Sequence, residues 1–366
     1  MKFIYIIFLI SLFVSCKPKH SENSSENQEE VSVVTDSLIY SGESNFTNIH
    51  QLTRGGDNAE AYWGFGSEKI VFQSNYEKWG VGCDQIFVTD KYTELADVPP
   101  ARISTGLGRT TCAYFLPGDT TIVYSSTHLK NDACPEEPGH TPGGKYLWPI
   151  YASYDIFVAD LEGNIIRQLT DTEGYDAEPT VSPNGDKIVF TSTRSGDLEL
   201  WTMNIDGSDQ KQITHLPGYD GGAFFSPDGT KLVFRASRPQ GEQLKEYKEL
   251  LLKGLVAPTN MEIFTCNLDG SDLKQITNLG KANWAPFYHP SGEKIIFSSN
   301  HHGSRGFQFN LFMINTDGTG LNQITFDPVF DSFPMFSPDG KHLIFSSNRN
   351  NNGTHDTNVF VVDWVD

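Results

Sequence analysis

The sequence predicts an all-β fold, a six-bladed β-propeller in which each blade is a four-stranded antiparallel sheet. Three observations lead to this prediction. Helical spacing of apolar residues is almost absent from the 366 residues, which instead alternate short aromatic and β-branched runs with Gly, Pro, Asn and Asp. One turn motif recurs six times, and a strand-like segment near the N-terminus can supply the strand that the last repeat lacks.

The turn motif sets the number of blades. Its six copies each end in an apolar run and read GFGSEKIVF (64–72), LPGDTTIVY (116–124), SPNGDKIVF (182–190), SPDGTKLVF (226–234), HPSGEKIIF (289–297) and SPDGKHLIF (337–345). In each repeat, strand A leads into this turn, strand B follows it, and strands C and D have patterns such as LELWTMN and QKQIT. Asp-Gly and Asn-Gly pairs between the runs are typical of hairpins. Self-similarity at a regular spacing indicates repeated units around an axis.

The last repeat needs a strand from elsewhere in the chain. Its strand C lies in TNVFVVDWVD (357–366), and no strand D pattern follows it. The segment NFTNIHQLT (45–53) has the strand D pattern but no blade in front of it. We therefore expect this segment to complete the last blade, which closes the ring and covers both sheet edges.

These repeats resemble the TolB-type propeller family, which carries the same Pro-Asp-Gly turn, a Ser-x-Arg after strand B and a Leu-Thr in strand D. The resemblance covers residues 45–366 and implies a six-bladed propeller. TolB also contains an N-terminal α/β domain, to which nothing in this sequence corresponds. The resemblance implies the fold, and it implies a role in the Tol–Pal system only weakly, because a fold does not settle a function.

The N-terminal region predicts export. Residues 1–15 join a positive residue to an apolar core that is too short to span a bilayer, which is typical of a lipoprotein signal peptide. Cys16 resembles the lipid-modified cysteine of a bacterial lipobox, although Phe13 stands where Leu is usual; a plain signal peptide with an incidental Cys is the alternative. Residues 16–44 are polar and predict a flexible tether before the propeller at 45–366. We expect a membrane-anchored lipoprotein of the bacterial envelope, periplasmic or surface-facing.

The formal net charge of −19 and the absence of a basic stripe exclude nucleic acid as a favoured partner. Contact with a membrane is expected through the lipid anchor only, and the protein is expected to be a monomer. Disulfides can form in an exported protein. Cys112 and Cys134 fall within one repeat and are the first candidates for a bridge, with Cys83 bonded to either of them as the alternative. Cys266 lies inside a strand pattern and is expected to be a buried thiol.

The loops between strands B and C predict the functional face, because blades 1, 2, 4, 5 and 6 carry insertions there while the opposite face repeats short Gly turns. The blade 4 insertion contains a predicted helix, Gln243 to Leu255, which either packs on the rim or binds a partner. The aromatic residues of the blade 2 insertion either stack on a sugar or peptide or form a small core under the loop.

Two aligned positions predict contacts within the blades. Just after strand B the chain has Tyr76, His128, Arg194, Arg238, His301 and Arg349, and at the start of strand A it has Asn58, Thr110, Asp176, Asp220, Asn283 and Asp331. Arg occurs where Asp occurs, so we expect Arg–Asp pairs that secure the blades. The histidines break this rule and are therefore candidates for function. His128 and His301 lie in opposite blades, too far apart to share one metal ion, whereas His301 and His302 together are candidates for a divalent metal.

Three further residues depart from the repeat. Glu60 and Glu178 occupy a strand A position that holds Cys, Gly, Ala or Phe in the other blades, and Arg235 replaces Thr, Ser or Gln in strand B. They either bind a ligand or neutralise one another across the channel. The full candidate set for ligand binding near the axis is Glu60, His128, Asp176, Glu178, Arg194, Asp220, Arg235, Arg238, His301, Asp331 and Arg349.

The sequence favours a non-catalytic envelope protein that binds a protein, peptide or glycan on its insertion-rich face. The alternative is a polysaccharide lyase or hydrolase that uses rim His, Arg and acidic residues, with or without a divalent metal. A Gly-x-Ser-x-Gly elbow and a phosphate-binding Gly loop are both missing from the sequence. No other cofactor is expected.

Overall fold

The computed structural model describes residues 37–138, 145–304 and 306–366. Cys16, the predicted signal peptide and most of the predicted tether lie outside the described residues. Within the described part, the chain forms six four-stranded antiparallel sheets, which are the blades of a propeller. The predicted fold class is confirmed.

The strands of the first three blades follow the chain from the axis outward. Blade 1 contains β2 (Asn58–Trp63), β3 (Lys69–Ser74), β4 (Gln85–Asp90) and β5 (Ala101–Arg102). Blade 2 contains β6 (Thr110–Phe115), β7 (Thr121–Ser126), β9 (Asp155–Asp160) and β10 (Ile165–Gln168). Blade 3 contains β11 (Asp176–Val181), β12 (Lys187–Ser192), β13 (Glu199–Asn204) and β14 (Lys211–Gln212).

The next two blades repeat this order, and the last one borrows its outer strand. Blade 4 contains β15 (Asp220–Phe225), β16 (Lys231–Ser237), β18 (Met261–Asn267) and β19 (Lys274–Gln275). Blade 5 contains β20 (Asn283–Tyr288), β21 (Lys294–Ser299), β22 (Asn310–Asn315) and β23 (Asn322–Gln323). Blade 6 contains β24 (Asp331–Phe336), β25 (His342–Ser347), β26 (Asn358–Trp364) and β1 (Phe46–Gln51). The predicted closure by the N-terminal strand is therefore present, with Phe46 opposite Trp364 and His50 opposite Val361.

Each blade is held together by an aromatic pair between strands B and C. The paired residues are direct cross-strand neighbours: Phe72 and Phe87, Tyr124 and Phe157, Phe190 and Trp201, Phe234 and Phe264, Phe297 and Phe312, Phe345 and Phe360. Such pairs stabilise a sheet through contact on one face. The final aromatic residue of the repeated turn motif is buried in every blade because it supplies one member of this pair.

Residues before the predicted tether boundary at residue 44 pack on the propeller. Glu43 is 3% exposed, and its carboxylate pairs with Arg349 at 3.0 Å. Arg349 also donates to the Leu38 carbonyl at 3.0 Å and pairs with Asp331 at 3.2 Å. The segment from Leu38 to Glu43 thus packs on blade 6. A polar stretch can do this because its buried carboxylate meets a buried guanidinium.

The predicted bridge between Cys112 and Cys134 is wrong. Cys134 is bonded to Cys83, with a Cα–Cα distance of 6.0 Å, while Cys112 and Cys266 are buried and unbridged. The reason is that Cys112 lies on the innermost strand of blade 2, whereas the insertion that carries Cys134 folds over to the loop of blade 1. The expectation of a buried Cys266 thiol is confirmed.

The two longest insertions meet. In a two-stranded antiparallel sheet, β8 (Trp148–Pro149) of the blade 2 insertion pairs with β17 (Leu255–Val256) of the blade 4 insertion. The predicted helix is α1 (Glu242–Leu251), which ends four residues earlier than expected; a short 3₁₀ helix (Glu77–Trp79) occupies the blade 1 insertion. Tyr247 and Leu251 of α1 pack on the apolar cluster beneath, so the helix contacts the rim. Among the residues that the structure describes, none of the helices has the length and apolar character needed to cross a bilayer.

Candidate functional site

A cavity of about 430 Å³ lies at the axis on the insertion-rich face. Strand A of every blade contributes to its wall, and residues 146–151 of the blade 2 insertion, which we call the lid segment, cover one side. Eleven of its lining side chains are aromatic. A concave, largely aromatic site with a few placed polar groups is the usual form of a ligand pocket.

Six bulged residues, one in each inner strand, face this cavity. The ladder between strands A and B shifts register in every blade. At each shift one residue has φ between +45° and +60° and lines the cavity: Glu60, Cys112, Glu178, Gly222, Ala285 and Phe333. A bulge re-aims a side chain, and a left-handed conformation costs about 1–3 kcal/mol at a residue other than Gly. The fold therefore supplies six equivalent positions around one cavity, and the sequence varies their chemistry.

Glu178 is the centre of a hydrogen-bond network on the side of blades 3 and 4. Its Oε1 pairs with Arg235 Nη2 and accepts from the Tyr219 hydroxyl at 2.9 Å. Its Oε2 accepts from Thr191 Oγ1 at 2.6 Å and from the Gly222 N–H at 2.8 Å. Both carboxylate oxygens are fully engaged, so the carboxylate is held in a single orientation.

Arg235 fills the space that the Gly222 position leaves open. A Cβ atom at Gly222 would lie 1.9 Å from Arg235 Nη1. The glycine is needed because a guanidinium from strand B occupies the place of its side chain. Arg235 also lies 5.3 Å from the Trp148 ring centroid and 4.9 Å from that of Tyr219, which are cation–π distances. The lid segment thus rests on the charged pair through Trp148.

Glu60 occupies the same position in blade 1 but has different neighbours. Its Oε2 accepts from the Cys112 N–H at 3.1 Å and from the Cys112 thiol at 2.7 Å. No Lys, Arg or His of the described residues forms a salt bridge with it. One carboxylate of the ring is therefore paired with a cation and the other is not.

This difference appears in the proton affinities. Burial raises the pKa of Glu60 to about 7, and the nearby charge of Glu178 adds to the effect. Burial also acts on Glu178, but the Arg235 charge and the donors from Thr191 and Gly222 outweigh it and hold the pKa of Glu178 below its usual range. Near neutral pH, Glu178 is ionised and Glu60 is close to half protonated.

Aromatic side chains close the inner end of the cavity. Tyr62 and Phe224 meet across the channel with ring centroids 5.4 Å apart, and Tyr114 and Phe287 contact Phe224 at 6.4 and 5.2 Å. Beyond them, a second and apolar cavity of about 230 Å³ opens among the Pro-Asp-Gly turns. The two faces of the propeller therefore offer separate sites.

The predicted Arg–Asp pairs are present, but they lie outside the cavity. The three contacts are Arg194 with Asp176 at 2.6 Å, Arg238 with Asp220, and Arg349 with Asp331 at 3.2 Å. Each guanidinium also lies over an aromatic ring of strand C: Trp201, Phe264 and Phe360 respectively. None of these six charged residues lines the cavity. Their contacts instead tie the loop after strand B to the inner strand.

His128 and His301 take the place of the arginines and do not line the cavity either. His128 Nδ1 lies 2.8 Å from the hydroxyl of Ser126, the last residue of strand B, and its ring centroid lies 4.6 Å from that of Phe157 in strand C. His301 has the same two distances to Ser299 and Phe312. Burial lowers the pKa of both imidazoles. These contacts reproduce those of the guanidinium in blades 3 and 6.

His302 Nε2 lies 2.9 Å from Asn310 Oδ1. Among the described residues, no group of three or more His, Cys, Asp or Glu side chains is arranged to hold a metal ion. The divalent metal at His301 and His302 stays a prediction.

The structure thus brings together Glu60, Glu178 and Arg235 from the predicted set. Tyr219 and Trp148 complete the network. Sequence reasoning missed Tyr219, whereas Trp148 is one of the blade 2 insertion aromatics that were expected either to stack on a ligand or to form a small core. Tyr219 could have been found because it directly precedes the aligned strand A position. Trp148 lies in an insertion that has no counterpart in other blades, so the repeat gives no signal for it.

Comparison with known proteins finds relatives of the same architecture. The model of the TolB β-propeller domain family matches residues 136–248 and 255–362. A curated relative, an uncharacterized protein of Agrobacterium fabrum, is 25% identical over 164 residues, which cover 44% of this chain and 34% of that protein. The match therefore spans about a third of the length of that curated relative.

Two solved structures give the same picture. A protein assigned as TolB from Agrobacterium tumefaciens is 19% identical, with a TM-score of 0.56 over 85% of this chain and 91% of that chain. TolB from Acinetobacter baumannii is 17% identical, with a TM-score of 0.52 over 84% of this chain and 63% of that chain. At this identity, the likeness establishes the fold alone.

Proposed function

Because the chain belongs to the TolB β-propeller domain family, whose members share a fold and not one activity, we propose that it is a non-catalytic binding protein of the bacterial envelope. The ligand is the end of a glycan or peptide, or a small molecule related to one, and it enters the axial cavity from the insertion-rich face. The observation that carries this proposal is the cavity itself, into which all six inner strands direct a bulged residue under a lid segment.

The properties of the wall support binding. Glu178, Arg235 and Tyr219 are fixed by mutual hydrogen bonds, so little side-chain entropy is lost when a ligand meets them. Trp148 and Trp284, whose centroids lie 5.0 Å apart, offer rigid aromatic surface at the mouth. Rigid aromatic residues around a preorganised polar pair favour a ligand with both apolar faces and hydrogen-bonding groups.

A screen of the full chain against glycans, peptides and divalent metals tests this function. We expect both Trp148→Ala and Glu178→Gln to weaken binding of any hit. The first removes aromatic surface, and the second removes the carboxylate that fixes Arg235 and Tyr219 in the wall. Phe65→Ala is the control, since Phe65 lines the apolar cavity on the opposite face. If Phe65→Ala abolishes binding while both cavity variants bind normally, the function belongs to the other face.

The second candidate is a polysaccharide lyase or hydrolase, and Glu60 is the observation that favours it. A carboxyl group whose pKa is about 7 suits proton transfer at neutral pH. Incubation of each glycan that binds with the protein, followed by analysis of product chain length, separates the two functions. If the wild type cleaves a glycan and Glu60→Gln does not, the protein is an enzyme and not a binding protein.

The proposal places the protein at a membrane through a lipid on Cys16. Cys16→Ala should abolish lipid labelling and move the protein from the membrane fraction to the soluble fraction. Ser15→Ala is the matched control, because it changes the neighbouring residue and leaves the thiol in place. Unchanged labelling of Cys16→Ala would contradict the anchor.

A further inference from the structure

The charges that line the cavity are not balanced. The described lining residues include four carboxylates and two guanidiniums, namely Asp57, Glu60, Asp84, Glu178, Arg109 and Arg235. Both guanidiniums are already paired: Arg109 Nε lies 3.1 Å from Asp84 Oδ2, and Arg235 pairs with Glu178. The remaining two are Asp57, which is exposed at the rim, and Glu60, which is partly buried in the wall. Inside the cavity, one carboxylate therefore faces the ligand space without a cation.

Glu60 has an oxygen to spare. The contacts with Cys112 and a longer one from the Thr111 hydroxyl, at 3.5 Å, all involve Oε2. Within the described part of the chain, Oε1 accepts no hydrogen bond. A carboxylate that is partly desolvated and lacks a cation is stabilised when a cationic group arrives. The free oxygen and the unpaired charge of Glu60 therefore favour a positively charged hydrogen-bond donor on the ligand.

Arg235 has donors to spare. Its side chain is 9% exposed, and Nη2 makes its hydrogen bonds to Glu178 and Tyr219. Its Nε is buried without a hydrogen-bond partner, and Nη1 donates to no side chain or carbonyl of the described residues. Nε has no exposed surface, so Nη1 is the donor that remains for an oxygen acceptor on the ligand.

The acceptor is better supplied by a hydroxyl than by a carboxylate. The charge of Arg235 is already neutralised by Glu178, so a second anion would meet a wall with excess negative charge. A hydroxyl accepts a hydrogen bond without adding charge. Aromatic walls that include Trp148, Trp284 and Phe333 favour the flat apolar face of a ring.

We propose that the cavity recognises a sugar with an unsubstituted primary amine, whose ammonium group binds Glu60 and whose hydroxyl oxygens accept from Arg235. This inference rests on the proposed function and names the chemistry of its ligand. N-acetylation of the amine would remove both its charge and its fit to Glu60.

Binding of the ammonium group must be linked to a proton. Since burial raises the pKa of Glu60 to about 7, roughly half or more of the molecules carry a proton on Glu60 at pH 7 and below. The ionisable groups that face Glu60 from the other blades and from its own strand are Cys112, Glu178, Arg235, Asp84 and Tyr62. Below pH 7 the ammonium displaces the proton, so affinity should rise about tenfold per pH unit between pH 5 and pH 6.5.

Calorimetry of the full chain with glucosamine tests the proposal, with glucose and N-acetylglucosamine as neutral analogues. We expect glucosamine to bind at least tenfold more tightly than either analogue at pH 6.5, with release of roughly three-quarters of a proton when buffers of different ionisation enthalpy are compared. Glu60→Gln should remove both the preference and the proton release. Asp57→Asn, which neutralises the rim carboxylate, is the matched control and should behave as the wild type.

Three outcomes would overturn the inference. They are equal binding of glucosamine and N-acetylglucosamine, a preference that survives in Glu60→Gln, and tighter binding of an unblocked tripeptide than of glucosamine. If glucosamine shows no preference over the neutral sugars but Trp148→Ala weakens the binding of all three, the proposed function stands and only the requirement for an amine fails. If no ligand responds to Trp148→Ala or Glu178→Gln, the proposed function fails as well.

Discussion

Two walls of the cavity carry a glutamate at the same position of the repeat, and they differ in almost everything else. Glu60 of blade 1 and Glu178 of blade 3 both lie at a bulge with positive φ and both line the cavity. Glu178 is held by four donors, one of them a guanidinium, whereas Glu60 has a single oxygen bound by Cys112 and no cation. The fold decides where the carboxylates point, and their neighbours decide what each can do.

The difference divides the cavity into a rigid side and a responsive side. On the side of blades 3 and 4, the charges of Glu178 and Arg235 are paired and the Glu178 oxygens are hydrogen-bonded before a ligand arrives. On the side of blades 1 and 2, the charge state of Glu60 depends on pH and on what enters the cavity. Variants of one wall can therefore be compared with variants of the other.

The largest effect is expected on the rigid wall. Arg235→Met keeps most of the side-chain volume but leaves Glu178 ionised and buried without a cation, which typically costs about 3–5 kcal/mol. The free energy of unfolding from denaturant titration measures the loss. Glu178→Gln combined with Arg235→Met should recover much of it, because the uncompensated charge is gone.

Arg109→Met is the control for this experiment. The side chain of its partner Asp84 is 17% exposed, against 10% for Glu178. A smaller loss is therefore expected. If the double variant is no more stable than Arg235→Met alone, the network does not depend on the pairing of charges.

The pH dependence of stability should have opposite signs on the two walls. The unfolded chain releases its glutamate protons near pH 4.3, but folded Glu60 keeps its proton until the pH reaches about 7. Wild-type stability should therefore fall relative to Glu60→Gln between about pH 4.5 and pH 7, by ~3 kcal/mol at most, and stay level above that. For Glu178 the folded pKa is depressed, so wild type should lose stability relative to Glu178→Gln only as the pH falls below about 4.5.

Denaturant titrations of the three proteins at several pH values measure both effects. The comparison with matched variants is needed because other buried acids, Glu199 and Asp155 among them, also have raised pKa values. Parallel pH profiles for wild type and Glu60→Gln would show that the two walls do not differ in proton affinity.

A smaller effect concerns the backbone that the two walls share. Gly222→Ala should destabilise the protein by about 1–3 kcal/mol, because the new Cβ would clash with Arg235 and the residue has φ of +58°. Ala285→Gly makes the reverse change at the equivalent position of blade 5 and should be close to neutral, since relief of strain offsets the added chain entropy. Melting temperatures measure both, and a neutral Gly222→Ala would show that Arg235 can move aside.

The repeat made most of the fold predictable. Strand order and closure follow from turn motifs that recur in register, and Phe72 and its equivalents are buried because each forms the same cross-strand pair. The repeat also identified Glu60, Glu178 and Arg235, because folding requires none of them in the other blades. It could not reveal the bulges, because Glu, Cys, Ala and Phe all adopt the same left-handed conformation.

Departure from the repeat was a weaker guide elsewhere. His128 and His301 differ from the aligned arginines. Each imidazole nevertheless contacts the serine and the aromatic ring that are equivalent to those contacted by a guanidinium in other blades. A substitution that preserves the contacts of the residue it replaces carries no functional signal. The bridge of Cys134 could not be read from the repeat because its partner depends on the direction in which an insertion folds.

The smallest predicted effect concerns the Cys112 thiol and the proton affinity of Glu60. The Cys112 thiol donates to Glu60 Oε2, and this hydrogen bond lowers the pKa of Glu60 against the stronger effect of burial. Cys112→Ala removes the donor and should raise the pKa of Glu60 further. Alanine is tolerated in this backbone conformation, as Ala285 shows at the equivalent position.

The midpoint of the pH-dependent stability difference between Cys112→Ala and the double variant that also carries Glu60→Gln measures the shift in the pKa of Glu60. Cys266→Ala removes the other buried, unbridged thiol, in blade 4 and away from the cavity, and should leave that midpoint unchanged. A midpoint that moves equally in both variants would mean that the thiol does not set the proton affinity of Glu60.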